Sequence, residues 1–148
     1  MPTTILDNSQ HPCKKADTDI KNGTTDYHDS ARIVFPILVN HAKRGFFPYS
    51  ELTAECGLDP YFDLTWPLAI IGRAIEKYNK DSKSYIPRIT FMVVKKTDFS
   101  SPLVGTKCFL LEGEKIITEG ILKKEINRII NYDKWDEVLK EFGLEIIN

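Results

Sequence analysis

Cationic side chains on one predicted helix are the residues of this chain best suited to chemistry. Arg73, Lys77 and Lys80 follow one another at steps of four and three residues, mostly off the apolar face of that helix. Guanidinium and ammonium groups neutralise phosphates and release counterions, so these side chains could contact phosphates or base edges. Lys95 and Lys96 lie in a later predicted turn and would flank a bound duplex. The pattern predicts a nucleic-acid-binding surface, for DNA in preference to RNA.

A helix-turn-helix would position these cations, and its two helices are visible in the sequence. Ser50 is a suitable N-cap for a short helix from Glu51 to Cys56, which Gly57 would end. After a loop of turn-forming residues, Thr65 would cap the second helix. We expect Tyr49 and Ser50 to orient the motif at the nucleic-acid backbone. The second helix has an apolar stripe at three- and four-residue steps, formed by Leu64, Leu68, Ile71, Ile75 and Tyr78.

The neighbouring elements predict a winged arrangement around that motif. Asp29 or Ser30 could cap a helix running from about Ala31 to Arg44. The β-branched and aromatic run from Ile89 to Val94 predicts a buried strand, and Leu103 to Leu111 predicts a returning strand. A helix, a helix-turn-helix and a hairpin in this order predict an α+β fold with a winged helix-turn-helix-like core and a small β-hairpin.

Two C-terminal helices follow in the predicted order of elements. Helical periodicity begins at Glu114, and Asp133 would cap a last helix from Lys134 to Phe142, stopped by Gly143. These acidic helices could complete the core or bind another chain. No repeat or low-complexity linker separates them from the rest. Residues 30–148 are therefore predicted to form one domain, after a flexible polar tail at residues 1–29.

Composition sets the broad class of the protein. A chain of 148 residues that is 42% hydrophobic can bury one core. The net charge of −1 conceals a basic middle, because residues 31–111 carry eleven Lys/Arg against seven Asp/Glu while both ends are acidic. There is no apolar run long enough to span a membrane, no apolar block of a secretory signal and no CxxC pair among Cys13, Cys56 and Cys108. The sequence predicts a cytoplasmic protein without membrane contact, metal or cofactor.

Three short segments resemble the C-terminal winged-helix domain of alkylguanine DNA alkyltransferases and the related alkyltransferase-like proteins. Residues 48–54 (Pro-Tyr-Ser-Glu-Leu-Thr-Ala) are similar to the family pattern that opens the first helix of the motif. Residues 69–74 (Ala-Ile-Ile-Gly-Arg-Ala) are similar to the recognition helix, and Pro87-Arg88-Ile89 corresponds to the Pro-Cys/Trp-His-Arg-Val segment. The resemblance covers about residues 31–105 and implies a DNA-binding winged helix.

The same segments depart from that family where its chemistry lies. Pro87 is followed directly by Arg88, so the reactive cysteine and its histidine partner are absent. Ala69 stands where the family has the arginine that replaces a flipped base. Alkyl transfer requires a thiolate and a base that generates it. The sequence therefore predicts the scaffold without alkyltransferase activity.

Two other classes of function fit parts of the pattern. A protein-interaction module, such as a bacterial immunity, inhibitor or defence-accessory protein, could bind its partner through the acidic C-terminal helices or the N-terminal arm. A metal-dependent nuclease or toxin could use Asp59 and Asp63 with Lys95 or Lys96. The chain has no GxxxxGK[ST], GxGxxG, HExxH or GxSxG motif. A non-enzymatic nucleic-acid-binding protein is the leading hypothesis.

Overall fold

Helices and a small sheet share the part of the chain that the computed structural model describes, residues 18–59, 62–95, 98–102 and 119–147. This mixture confirms the predicted α+β class. In chain order the elements are α1 (Asp26–Asn40), β1 (Phe47–Pro48), α2 (Tyr49–Glu55), α3 (Thr65–Ser82), β2 (Val93–Lys95), β3 (Asp98–Pro102), α4 (Glu119–Asn131) and α5 (Trp135–Glu141), with 3₁₀ turns at Ala42–Arg44 and Ile89–Met92.

The three strands form one sheet in the order β1-β2-β3. β1 pairs in parallel with β2, with Phe47 opposite Val93, and β2 pairs antiparallel with β3. Parallel neighbours need a crossover connection, which α2 and α3 provide here. The sheet therefore connects the entry to α2 with the hairpin that follows α3.

Helix α1 begins earlier than the sequence suggested. Thr25 is its N-cap: its side chain accepts a hydrogen bond from the His28 amide at 3.1 Å, and the His28 ring in turn accepts one from the Thr25 amide at 3.2 Å. The predicted caps Asp29 and Ser30 are wrong, because this reciprocal capping box fixes the start of the helix further upstream. Ile20 and His28, which the pattern placed in the tail, are buried.

Helix α2 begins two residues before its predicted position, and helix α3 begins one residue before its predicted position. α2 starts at Tyr49 after Pro48, so Ser50 lies inside its first turn and is not the cap. The Thr65 amide at the start of α3 donates to Asp63 Oδ1 at 2.9 Å, so Asp63 satisfies the helix end that Thr65 was expected to cap. Gly57 ends α2 as predicted, with φ of 70°.

The predicted hairpin is placed correctly only in part. Residues Ile89–Met92 form a 3₁₀ turn, so the strand predicted from Ile89 is limited to Val93–Lys95. All four residues of the turn are buried, which explains why an apolar β-branched run resembled a strand. β3 occupies Asp98–Pro102, within the segment predicted to be a turn. The return strand predicted at 103–111 lies outside the described residues.

The C-terminal helices complete the core. Ile129 of α4 and Leu139 of α5 are buried, and Phe142 packs against the rings of Phe35 and Tyr78 at centroid distances of 5.7 and 5.8 Å. Gly143, with φ of 72°, ends the last helix as predicted. The cap expected from Asp133 is wrong. Lys134 occupies that position and makes no capping side-chain bond. Residues 114–118, where the first of these helices was expected to begin, lie outside the described part.

Candidate nucleic-acid interface

Six consecutive residues in the first half of α3 are buried on every side of the helix, while Thr65 and Trp66 before them are half-buried. Residues Pro67 to Gly72 are all buried, including Ala69 at 4% and Ile70 at 3% exposure. This continuous apolar segment packs mainly against α1. A recognition helix reads base edges through residues near its N-terminus. In this structure most of that part of α3 is covered by the protein itself, and Thr65 and Trp66 keep partial exposure.

The second half of α3 carries the predicted cations at its surface. Lys77 exposes 65% of its side chain and Arg73 exposes 29%, and Lys80 is also exposed. We call these three residues the cationic face. Their spacing of four and three residues places them on one side of the helix. The structure thus brings the three helical cations of the sequence prediction together.

Acidic neighbours moderate the charge of the cationic face. Lys77 Nζ lies 3.2 Å from Asp81 Oδ2, and Arg73 Nε lies 3.7 Å from Glu76 Oε1. Both ion pairs are within one helical turn and are open to solvent. Pairs of this type contribute about 0–1 kcal/mol, so an incoming phosphate can compete with these carboxylates. Arg73 and Lys77 therefore have carboxylate partners that a phosphate can replace.

Tyr49 has a structural role that the sequence pattern did not indicate. Its hydroxyl donates to the Phe62 carbonyl at 2.5 Å and accepts from the Leu64 amide at 2.9 Å. The side chain therefore joins the start of α2 to the connection before α3. Ser50 is exposed on the first turn of α2. Tyr49 and Ser50 were both predicted to contact the nucleic-acid backbone, and Ser50 is the more accessible of the two.

The two lysines predicted at the wing are located only in part. Lys95 is the last residue of β2, and Asp98, the first residue of β3, is its partner across the hairpin. Lys95 therefore lies at the end of the hairpin, as the prediction required. Lys96 lies outside the described residues.

Arg44 and His41 contact the two glutamates of α2. Arg44 pairs with Glu51 and its guanidinium lies 4.9 Å from the Phe47 ring centroid, while His41 pairs with Glu55. The hydrogen bond from Arg44 lowers the pKa of Glu51 below its ordinary value. These pairs attach α2 to the turn that precedes it.

Asp63 and Cys56, which were considered for metal-dependent or thiol chemistry, have contacts that fit a structural role. The Asp63 carboxylate accepts a hydrogen bond from the Thr65 amide. Burial, with a smaller contribution from Glu55, raises the pKa of the Cys56 thiol to about 12, which keeps it protonated and unreactive at neutral pH. Among the described residues, no three His, Cys, Asp or Glu side chains are grouped as metal ligands. Cys108 lies outside those residues.

A buried ionic network is the main feature that sequence reasoning missed. Glu125 of α4 is fully buried and accepts from Arg88 Nη2 at 2.8 Å and from the Arg88 amide at 2.8 Å. The Tyr85 hydroxyl donates to the same carboxylate at 2.5 Å, and Arg128 Nη1 lies 3.0 Å from it. Arg88, which the alkyltransferase resemblance matched to a catalytic segment, instead anchors α4 to the chain after α3.

The network keeps Glu125 ionised despite its burial. Burial acts to raise the pKa of this carboxyl group, but the hydrogen bonds from Arg88 and Tyr85 outweigh that effect and lower the pKa below its ordinary value. Burial together with the bond to Glu125 raises the pKa of Tyr85 to about 12, so Tyr85 is the proton donor. No local pattern could have revealed the network, because Arg88 and Glu125 are separated by 37 residues.

Comparison of the chain with protein-family models, with curated proteins and with solved structures finds no match. In the ranges that the structure describes, no helix combines the length and apolar character needed to cross a bilayer.

Proposed function

We propose that this chain is a non-enzymatic nucleic-acid-binding protein with a winged helix-turn-helix-like core, and that its ligand is duplex DNA. The observation that carries the proposal is the cationic face, in which Arg73, Lys77 and Lys80 share one side of the distal half of α3. Cations arranged along a helix can meet successive phosphates of a duplex backbone.

The order of elements supports this scaffold. A helix, a short strand, two further helices and a hairpin follow one another, and the short strand pairs with the first strand of the hairpin. The connection between α2 and α3, residues 56–64, is longer than the three or four residues usual in a helix-turn-helix. Gly57 ends α2 at the start of this connection, and the Tyr49 hydroxyl bonds to the backbone of Phe62 and Leu64 near its end.

Burial narrows the mode of binding. Because residues 67–72 are covered, the part of α3 that would normally read bases keeps only the half-buried side chains of Thr65 and Trp66 accessible, and the Trp66 ring is stacked on Tyr27. The accessible cations can contact phosphates, which carry no sequence information directly. We therefore propose that binding is largely independent of sequence and strongest at low salt.

Fluorescence anisotropy with two labelled duplexes of equal length and unrelated sequence tests this proposal. The protein should bind both duplexes with affinities that agree within about threefold, because phosphate contacts do not distinguish bases. Replacement of Lys77 and Lys80 together by glutamine should weaken both complexes by about tenfold at low salt, because two phosphate contacts are lost.

A matched double variant controls for the general loss of positive charge. Lys134→Gln with Lys140→Gln removes two exposed lysines from the C-terminal segment and should leave the affinity within about twofold of the parent protein. Undetectable binding at low salt, or an equal loss of affinity in the two double variants, would overturn the proposal.

A further inference from the structure

A cleft between the end of α3 and helix α5 has no part in the proposed DNA contact. It has a volume of about 560 Å³, within the range of ligand-binding clefts. We call it the C-terminal cleft. Three tyrosines and three carboxylates define its walls: Tyr78, Tyr85, Tyr132, Asp133, Glu137 and Glu141.

Neighbouring side chains hold each tyrosine ring in place. The Tyr132 ring packs edge-on against Trp135 at 4.7 Å, and the Tyr78 ring packs against Phe142. The Tyr85 hydroxyl is bonded to Glu125 of the buried network. The Arg128 guanidinium lies over the Tyr85 ring, 5.2 Å from its centroid, so Tyr78 and Tyr132 are the rings that remain for a ligand cation. Rings fixed in this way bind without a large further loss of conformational freedom. The aromatic part of the cleft is therefore formed before any ligand arrives.

The carboxylates are arranged as a row. They are four residues apart in sequence and all are exposed: Asp133 just before α5, and Glu137 and Glu141 within it. Glu137 and Glu141 are separated by about 6 Å along α5, since each helical residue advances by about 1.5 Å, and Asp133 precedes the helix. Lys134 is the one lysine among the cleft residues, so negative charge is in excess.

Carboxylates of the cleft act on the Tyr132 side chain. Burial is the first cause that raises the pKa of Tyr132, and Glu137, Tyr78 and Asp133 contribute further. These carboxylates therefore act on the aromatic wall itself. A cation beside the rings would gain from both the carboxylates and the faces of the π-systems.

We propose that the C-terminal cleft binds an extended segment of a partner protein that presents arginine or lysine side chains at alternate positions. Alternate residues of an extended chain are about 6.6 Å apart, close to the rise of about 6 Å between carboxylates four residues apart on a helix. One cationic side chain enters between the tyrosine rings while its neighbours pair with the outer carboxylates. The proposal stands independently of DNA binding.

Isothermal titration calorimetry at low salt with an acetylated and amidated peptide of alternating glycine and arginine tests the proposal. The parent protein should bind this peptide, and Glu137→Gln with Glu141→Gln should weaken binding by at least about fivefold. Asp136→Asn with Glu145→Gln removes the same charge from exposed positions outside the cleft walls and should change the affinity by less than about twofold.

Two substitutions at Tyr132 separate the aromatic face from the hydroxyl group. Tyr132→Phe keeps the ring and should bind the peptide as the parent does, whereas Tyr132→Leu should bind about threefold more weakly. Thermal unfolding of each variant verifies that the fold is retained. The proposal is overturned if the peptide does not bind, if both glutamine substitutions leave its affinity unchanged, or if free arginine amide binds as tightly as the peptide.

Discussion

Two surfaces of opposite charge meet along the distal half of α3. Lys77 belongs to the cationic face and is 65% exposed, whereas Tyr78, the next residue, is half-buried and lines the C-terminal cleft. The cationic face is the outer side of a helix, and the cleft is a concave space with aromatic walls. Charge on a helix side suits the repeated phosphates of a duplex, while a negative aromatic cleft suits individual cationic side chains. We therefore propose that adjacent residues of one helix take part in two kinds of recognition.

The largest expected effect concerns the buried ionic network around Glu125, which holds Tyr85 of the C-terminal cleft. Glu125→Gln should lower the free energy of unfolding by about 3–5 kcal/mol, because it leaves the buried Arg88 guanidinium without its counter-charge. Urea unfolding measures the change. The double variant Glu125→Leu with Arg88→Met removes both charges and should be more stable than Glu125→Gln. A Glu125→Gln protein as stable as the parent would show that the pair does not anchor α4.

The same carboxylate gives stability a defined pH dependence. The pKa of Glu125 is lowered in the folded protein from its ordinary value of 4.5, so its contribution to stability is complete above that pH. As the pH falls below 4.5 the unfolded chain takes up the proton first, and the contribution is lost as the pH passes through the folded-state pKa. The stability difference between the parent and Glu125→Gln, measured by urea unfolding, should therefore shrink below this pH. A difference that is constant with pH would contradict the assignment.

Removal of two negative charges from the C-terminal cleft tests whether the cleft and the cationic face bind their ligands independently. Glu137→Gln with Glu141→Gln, which should impair peptide binding, should leave the affinity for duplex DNA unchanged or raise it by up to about threefold. Only the long-range field changes, because no DNA contact is assigned to the cleft. Anisotropy with a labelled duplex measures the affinity. A loss of DNA affinity would place the cleft within the nucleic-acid interface.

The smallest expected effect sharpens the description of the cationic face. Asp81→Asn removes the carboxylate 3.2 Å from Lys77 and should raise the affinity for duplex DNA by about two- to threefold. Asp136→Asn, an equal change at an exposed position on α5, serves as the control. Equal increases in both variants would mean that net charge, and not the freed lysine, determines the affinity.

Local sequence signals were sufficient for some features and insufficient for others. The apolar stripe of α3 and the glycines Gly57 and Gly143 were readable because periodicity and positive φ are local requirements. The start of α1 was missed because His28 takes the place in the capping box that Glu or Gln usually occupies. The Ile89–Met92 turn was missed because a buried apolar run looks the same in a strand and in a 3₁₀ turn.

The cations of the candidate site could be predicted from the sequence, but the burial around them could not. The spacing of Arg73, Lys77 and Lys80 follows from the sequence alone, and the structure places them on one helix side. The burial of Ala69 and Ile70, which limits the proposed contact to phosphates, arises from tertiary packing. The C-terminal cleft combines residues from the end of α3 and from α5, which only the fold brings together.

The salt dependence of duplex binding tests the central claim most directly. Binding through phosphate contacts of Lys77 and Lys80 predicts that the logarithm of the affinity falls linearly with the logarithm of salt concentration. In Lys77→Gln with Lys80→Gln, that slope should be less steep by about 2, one unit for each lost contact. A slope that is the same in the parent and in this double variant would contradict the claim that the cationic face of α3 is the nucleic-acid interface.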